Sequence, residues 1–409
     1  MSPAAPAPHW PAGFDVALLT GAGGPLGLAV SGGSDSTALA VLAREAGFAD
    51  AVILTVDHGL RAGSADDAAF VASLADRLGL ACHCLHAGPY EGSSLQAWAR
   101  NVRYGLLRDA AARLGIAALV TAHTLDDQAE TLLLRLARGS GLRGLGAIRA
   151  DTVQGGTRIL RPLLGARRTD LRAALSSRGI DWRDDPSNAD TRFARVAVRA
   201  LGPALAGAGI TAPRLAEAAA HLARASHAID RAVSDLAAAA LRVDRAGAVF
   251  IDRAPLRDAP EEVRLRLLAD AVQIAGGQVH GPRFDALERA AAIALRGEGR
   301  ATLGRAVLQA EAHRVVLWRE ARGIRAIDLA PGRTCVFDGR YEISLRADEA
   351  PVTLAPLGAA AASCPQLAHR SAMETAPAAY RAGSCIAAPT LGVVRRGIPR
   401  DFLAVRPMR

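Results

Sequence analysis

Apolar and polar positions change rhythm several times along this chain. Short apolar runs at 26–31, 51–57, 81–86, 117–122 and 158–164 alternate with stretches of helical spacing. That alternation predicts an α/β fold, a doubly wound parallel sheet with its ligands at the carboxyl ends of the strands. Beyond a Gly/Pro/Ala-rich break at 202–213, which reads as an interdomain linker, Leu215, Leu222, Ile229, Val233 and Leu236 form one stripe at helical spacing. A second helical block follows near 261–296, then two expected hairpins: 305–311 with 314–319, and 336–337 with 341–345 flanking Asp338-Gly339. After residue 355 the Ala, Pro and Gly content rises and the periodicity fades. The expected division is an α/β domain over 1–205, a smaller helical and β domain over 206–325, and a poorly defined C-terminal region over 326–409.

The first apolar run leads into the most informative turn. Leu28-Ala29-Val30 is followed by Ser31-Gly32-Gly33-Ser34-Asp35-Ser36 and then by the helical Thr37-Ala38-Leu39-Ala40-Val41-Leu42. Two glycines let backbone approach a polyanion, hydroxyls add donors, and the helix start favours phosphate. Without Gly-Lys-Ser/Thr or G-x-G-x-x-G, the turn is neither a Walker loop nor a dinucleotide fingerprint. Asp35 beside bound phosphates calls for a bridging divalent cation, which points to Mg²⁺.

Asp57-His58-Gly59-Leu60-Arg61 ends the second run and Thr121-Ala122-His123 the fourth, both on the rim of the phosphate turn. His123-Thr124-Leu125-Asp126-Asp127-Gln128-Ala129-Glu130-Thr131 then opens a helix, with His123 expected at its cap. Asp127 and Glu130 share one face of it, with Asp126 beside them. Such carboxylates either complement the helix dipole or hold Mg²⁺, bind an ammonium, or act as general base.

Composition narrows the chemistry. The 409 residues allow more than one domain. A net charge of +9 and a pI near 10.2 suit a polyanionic partner. Every basic side chain apart from histidine is arginine, so no lysine nucleophile or Schiff base exists here and an attacking amine must arrive as substrate. Met1 to Gly13 carries no basic or apolar leader pattern, and no apolar run is long enough to span a bilayer, so a cytoplasmic protein without membrane partners is expected. Cys82, Cys84, Cys335, Cys364 and Cys385 show no C-x-x-C spacing. Cys82-His83-Cys84 reads as a strand with two buried thiols rather than a metal site.

Ser-Gly-Gly-x-Asp-Ser resembles the pyrophosphate loop of the ATP pyrophosphatases, an adenine nucleotide α-hydrolase-like fold. Far more specifically, the string from His123 through Arg135, Arg138-Gly139-Ser140-Gly141 and Arg143-Gly144-Leu145 resembles the signature of bacterial tRNA(Ile)-lysidine synthetases. Val56 to Arg61, Ala99-Arg100 with Arg103-Tyr104, Arg161 to Leu164 and Asp185 to Asp190 agree with it. One departure is Val196, where the family commonly has asparagine between two arginines, here Arg195 and Arg199.

The resemblance implies a reaction. ATP adenylates the O2 oxygen of the wobble cytidine in the CAU anticodon of tRNA(Ile), and free L-lysine displaces AMP. It implies that Ser31, Gly32, Gly33, Ser34, Asp35 and Ser36 hold the pyrophosphate and that Asp35 holds Mg²⁺. Asp127 and Glu130 would take the lysine ammonium, with His123 and Arg103 near the adenylated base. Arg135, Arg138, Arg143, Arg161, Arg192, Arg195 and Arg199 would meet tRNA phosphates, and Trp182 and Phe193 are either stacking platforms or core. A homodimer is compatible with the chain. The rivals are a tRNA thiolase with the same loop, which usually needs a motif cysteine absent here, and a non-catalytic RNA-binding protein.

Overall fold

Leu26 and Val30 are 2% exposed and Leu28 is fully buried, and the first sheet is built around them. The computed structural model describes residues 10–59, 63–90, 95–184, 194–365, 368–395, 397–399 and 401–408. Leu60, Arg61, the 185–190 string, Arg192 and Phe193 lie outside the described residues. Two compact units are present, Met1–Ser226 and His227–Arg409.

In the first unit the elements run α1 (Val16–Thr20), β1 (Leu26–Ala29), α2 (Ser34–Glu45), β2 (Val52–Asp57), α3 (Ser64–Leu78), β3 (Ala81–His86), α4 (Leu95–Leu114), β4 (Ala118–Val120) and α5 (Leu125–Leu136). Then come α6 (Leu142–Leu145), β5 (Asp151–Gln154), β6 (Thr157–Leu160), α7 (Arg168–Ser177), α8 (Ala194–Ala200), α9 (Gly202–Gly207) and α10 (Ala212–Ala240), which runs on past Ser226. Among the described residues the sheet order is β3-β2-β1-β4-β6-β5. β1 pairs in parallel with β2 (Leu28↔Ile53) and with β4 (Leu28↔Val120). The doubly wound parallel sheet is therefore as expected, and its order reverses between β1 and β4, where a ligand crevice opens.

Four details differ from the sequence reading. The run at 158–164 is a strand only to Leu160, because Pro162 has no N–H for a ladder; it pairs antiparallel with the unforeseen edge strand β5. β3 is the opposite edge strand, so Cys84 is exposed and Cys82 only half-buried rather than both thiols being sequestered. The cap of α5 is Thr124, not His123. The stretch read as a linker holds the helix α9, with Pro203 in its first turn where no N–H is needed.

In the second unit β7 (Leu241–Val243), β8 (Val249–Asp252), α11 (Arg253–Asp258), α12 (Glu261–Gly276), α13 (Phe284–Arg296), β9 (Gly299–Leu303), β10 (Ala306–Ala310) and β11 (Arg314–Arg319) form one layered body. Its sheet has the order β7-β8-β11-β10-β9, and α12 and α13 bury Leu267, Leu268, Ala271 and Ala290 against it. The expected hairpins are present: Leu308 faces Leu317, and Phe337 faces Tyr341. Among the described residues the region beyond 355 is built of defined helices and strands. β12 (Ile327–Leu329), β13 (Thr334–Phe337), β14 (Tyr341–Leu345), β15 (Val352–Pro356), β16 (Pro377–Arg381), β17 (Ser384–Ala388), β18 (Val393–Val394) and β19 (Leu403–Pro407) make two further antiparallel sheets, with the helix α14 (Arg370–Thr375) between β15 and β16 in sequence. Among the described residues no single helix is long and apolar enough to cross a membrane.

Candidate active site

At the β1/β4 switch point the chain leaves β1, turns through Ser31 to Gly33 and enters α2. Gly32 sits at φ +83°, a conformation glycine adopts freely. Ser36 ties the turn together: its hydroxyl accepts from the Ser31 amide at 3.1 Å and donates to the Gly33 carbonyl at 3.0 Å. Thr37 donates to the Gly32 carbonyl at 3.2 Å. Gly33, the N-cap of α2, has φ −69° and ψ 160° and makes no side-chain cap bond. A Cβ there would meet nothing nearer than Ser31 Oγ at 3.8 Å. The backbone does not require glycine at 33. The leading amides of α2 have no intrahelical acceptor and attract an anion.

A cavity of about 930 Å³ opens over this turn. Its lining includes Ser31, Gly33, Ser34, Asp35 and Ser36, with His58 from the end of β2, Arg103 from α4, and His123 and Asp127 from the start of α5. Seven arginines and four aspartates line it, so the cavity is net positive and suits a polyanion.

The acidic ledge is built by a capping box. Asp127 Oδ2 accepts from the Thr124 amide at 2.8 Å and from the Thr124 hydroxyl at 3.1 Å, while Thr124 Oγ1 accepts from the Asp127 amide at 3.3 Å. This leaves Asp127 Oδ1 for other partners. It accepts from Arg168 Nη2 at 3.2 Å. The same guanidinium donates through Nε to Asp35 Oδ2 at 2.9 Å and stands 3.6 Å from Glu130 Oε1. Glu130, whose side chain is 7% exposed, also accepts from Arg199 Nε at 2.8 Å and lies 3.4 Å from Arg195 Nε. Asp126 faces away from this group: it pairs with Arg167 at 3.1 Å and accepts the first amide of α7, from Arg168, at 2.8 Å.

Ionisation follows from these contacts. Burial is the largest influence on Asp127 and favours its neutral acid, yet Arg168, the Thr124 amide, His123 and Arg195 together hold its pKa below the ordinary value. Burial likewise works against charge on Arg168, and Asp35, Asp127 and Glu130 overcome it, raising its pKa. His123 is pushed down to about 4, chiefly by burial and further by Arg161, Arg195 and Arg100, against the pull of Asp127. It is a neutral imidazole at pH 7, with Nδ1 3.0 Å from Thr121 Oγ1. Burial and then Arg103 lower His58 as well.

The structure brings together Ser31 to Ser36, Asp35, His123, Asp127, Glu130, Arg103, Arg195 and Arg199. Arg138 and Arg143 are exposed away from the cavity lining. Arg135 instead donates to the carbonyls of Gly144 and of Ala147, the latter at 2.7 Å, and so closes the loop after α5. Arg161 is buried and donates to the Arg149 carbonyl at 2.8 Å, which removes it from the arginines open to a phosphate. Trp182 is half-buried against the sheet core, with Arg172 over its ring at 5.6 Å.

Sequence reasoning missed Arg168, Arg172 and Arg183, all in the cavity lining. One signal was present: Arg167-Arg168 opens a helix, where cations oppose the dipole and need carboxylate partners.

The PP-loop domain family matches residues 21–205. The tRNA(Ile)-lysidine synthase of Ruegeria pomeroyi is 39% identical over 90% of this chain and 89% of its own length. The enzyme of the same description from Methylobacterium nodulans is 45% identical, covering 70% of this chain and 88% of its own. That from Novosphingobium aromaticivorans is also 45% identical, covering 68% and 83%.

Proposed function

The chain belongs to the tRNA(Ile)-lysidine synthase family, and we propose from that premise that it joins free L-lysine to carbon 2 of the wobble cytidine of a CAU-anticodon tRNA(Ile). In the first step the cytidine O2 attacks the α-phosphorus of ATP, the α–β anhydride breaks and pyrophosphate leaves. In the second the lysine ε-nitrogen attacks carbon 2, and the C2–O bond breaks with AMP carrying off the electron pair. The lysine nitrogen loses its protons to solvent or base.

The observation that supports this reading is that the phosphate turn and Asp127 of α5 line one net-positive cavity, with Glu130 behind it against the lining arginines Arg168, Arg195 and Arg199. Ser31 to Ser36 hold the pyrophosphate by backbone and hydroxyl donors, where preorganised dipoles stabilise developing charge. Asp35 fits Mg²⁺, which typically takes one or two carboxylates plus substrate phosphates: its Oδ1 meets only the neutral Ser34 hydroxyl at 3.2 Å, while Oδ2 accepts from Arg168. Bound there, the ion would neutralise charge on the leaving pyrophosphate. Asp127 Oδ1 and Glu130 receive the lysine ammonium and aim the amine. His123, uncharged at pH 7, and Arg103 flank the cytidine. Arg138, Arg143, Arg195 and Arg199 meet tRNA phosphates, Arg195 and Arg199 by giving up Glu130.

The test incubates the protein with labelled lysine, ATP and unmodified CAU-anticodon tRNA(Ile). Expected are one AMP and one pyrophosphate per lysine incorporated, with Asp35→Asn losing both steps and Glu130→Ala keeping AMP transfer better than lysine incorporation. Failure of the wild-type protein to incorporate lysine refutes the function. Equal loss of both steps in Glu130→Ala refutes the role given to that carboxylate.

A further inference from the structure

Arg168 stands at the junction between the two halves of the cavity. Its Nε reaches Asp35 on the phosphate-turn helix at 2.9 Å, and its Nη2 and Nη1 reach Asp127 at 3.2 Å and Glu130 at 3.6 Å on α5. The remaining oxygens of the ledge are already engaged, Asp127 Oδ2 by Thr124 and Glu130 by Arg199 and Arg195. Asp127 is therefore capped by Arg168, and Glu130 by Arg199 and Arg195 with Arg168 farther off. An incoming ammonium meets a guanidinium where it needs an anion.

We propose that Arg168 is a positioning residue that couples the two small substrates: triphosphate in the Ser31 to Ser36 turn draws its guanidinium off Asp127 and thereby opens Asp127 Oδ1 to the lysine ammonium. This rests on the reading that Asp127 and Glu130 form the lysine site. The charge balance favours the exchange. Phosphate oxygens accept an arginine fork in paired charge-assisted bonds, and Arg168 is already anchored at Asp35, on the first turn of α2 beside that phosphate turn. A guanidinium that swings toward the phosphates keeps a counter-charge throughout, whereas the ledge exchanges one cation for another. Nucleotide should then precede lysine and tighten it, and by linkage lysine should tighten nucleotide by the same factor.

Calorimetric titration of the full chain with lysine, with and without α,β-methylene-ATP, tests this. The wild type should bind lysine at least about tenfold more tightly with the analogue, within the usual range of coupling between sites. Arg168→Gln should bind lysine with one affinity in both conditions, and Arg168→Lys should retain part of the ratio. A purely structural clasp would lower the melting temperature of both variants and leave the ratio intact, which overturns the proposal. So does a wild-type ratio of one, a measurement that needs no variant to fold. Lysine binding to the nucleotide-loaded wild type that is absent, or that Asp127→Asn leaves unchanged, overturns the lysine-site reading itself and the coupling with it.

Discussion

The two glycines of the phosphate turn should fail in opposite ways when given a methyl group. Gly32 lies at φ +83°, so Gly32→Ala forces an L-residue into the left-handed region at about 1–2 kcal/mol. Its Cβ would meet Phe70 Cδ1 at 3.4 Å and Val71 Cγ2 at 3.5 Å, ordinary contacts that add little. Gly33→Ala adopts φ −69° and ψ 160° without strain. It gains about 0.4–1 kcal/mol from a stiffer unfolded chain and loses a similar amount as a poorer N-cap, leaving folding close to neutral. Nucleotide binding reverses the ranking. A methyl at 33 holds the triphosphate off the turn, and each charge-assisted bond lost is worth about 1.5–3 kcal/mol, so affinity should fall roughly tenfold to a hundredfold for one bond. Hydrogen exchange of β1 and α2 peptides across a urea series reads the stability, and calorimetry with an ATP analogue reads the affinity. Gly33→Ala that binds nucleotide like the wild type, or that unfolds as readily as Gly32→Ala, refutes the argument that ligand approach selects glycine at 33.

The half-buried, neutral His123 supplies a pH signature. With its folded pKa near 4 against an ordinary 6.5, its contribution is fully present above pH 6.5 and is lost as pH falls toward 4, by about 3 kcal/mol at most. Urea midpoints of the wild type should therefore fall faster than those of His123→Asn between pH 7 and pH 4, and parallel curves would contradict the burial argument. In the second unit Asp338, 2% exposed at its side chain, pairs with Arg319 at 2.8 Å, Arg340 at 3.1 Å and Arg305. Asp338→Asn strips the counter-charge from two buried guanidiniums and should cost about 3–5 kcal/mol, seen as faster exchange in β13 and β14. A loss under about 1 kcal/mol would show that the cluster is already hydrated.

How much of the fold was legible follows from what each strand buries. β1 and β4 carry Leu26, Leu28, Leu119 and Val120 into the core, so they stand out as apolar runs. β5 reads Asp-Thr-Val-Gln and lies largely exposed on the sheet edge, where no apolar pattern is imposed on it. The same edge effect misled the reading of Cys84, because alternation in a strand marks two faces without saying that either is covered. In the C-terminal region the core is filled by Ala378, Ala379, Ala387 and Ala388, each no more than 1% exposed. Buried alanine leaves little periodic signal and belongs equally to helices.

The site was legible in its anionic half and hidden in its cationic half. The turn at 31–36 and the acids of α5 are contiguous strings whose chemistry survives without tertiary context. Arg168 reaches Asp35 across 133 residues and Asp127 across 41, separations that spacing rules cannot bridge. Acids at the start of α5 also had a sufficient local reason to be there, since they complement the helix dipole. The arginines opening α7 had none. A charge that local electrostatics disfavours must be satisfied at a distance, and here the distant partners are the carboxylates that local electrostatics explained too easily. Arg195 and Arg199 teach the converse: given to tRNA phosphates by the family resemblance, they close on Glu130, so any anion they bind must compete with that carboxylate.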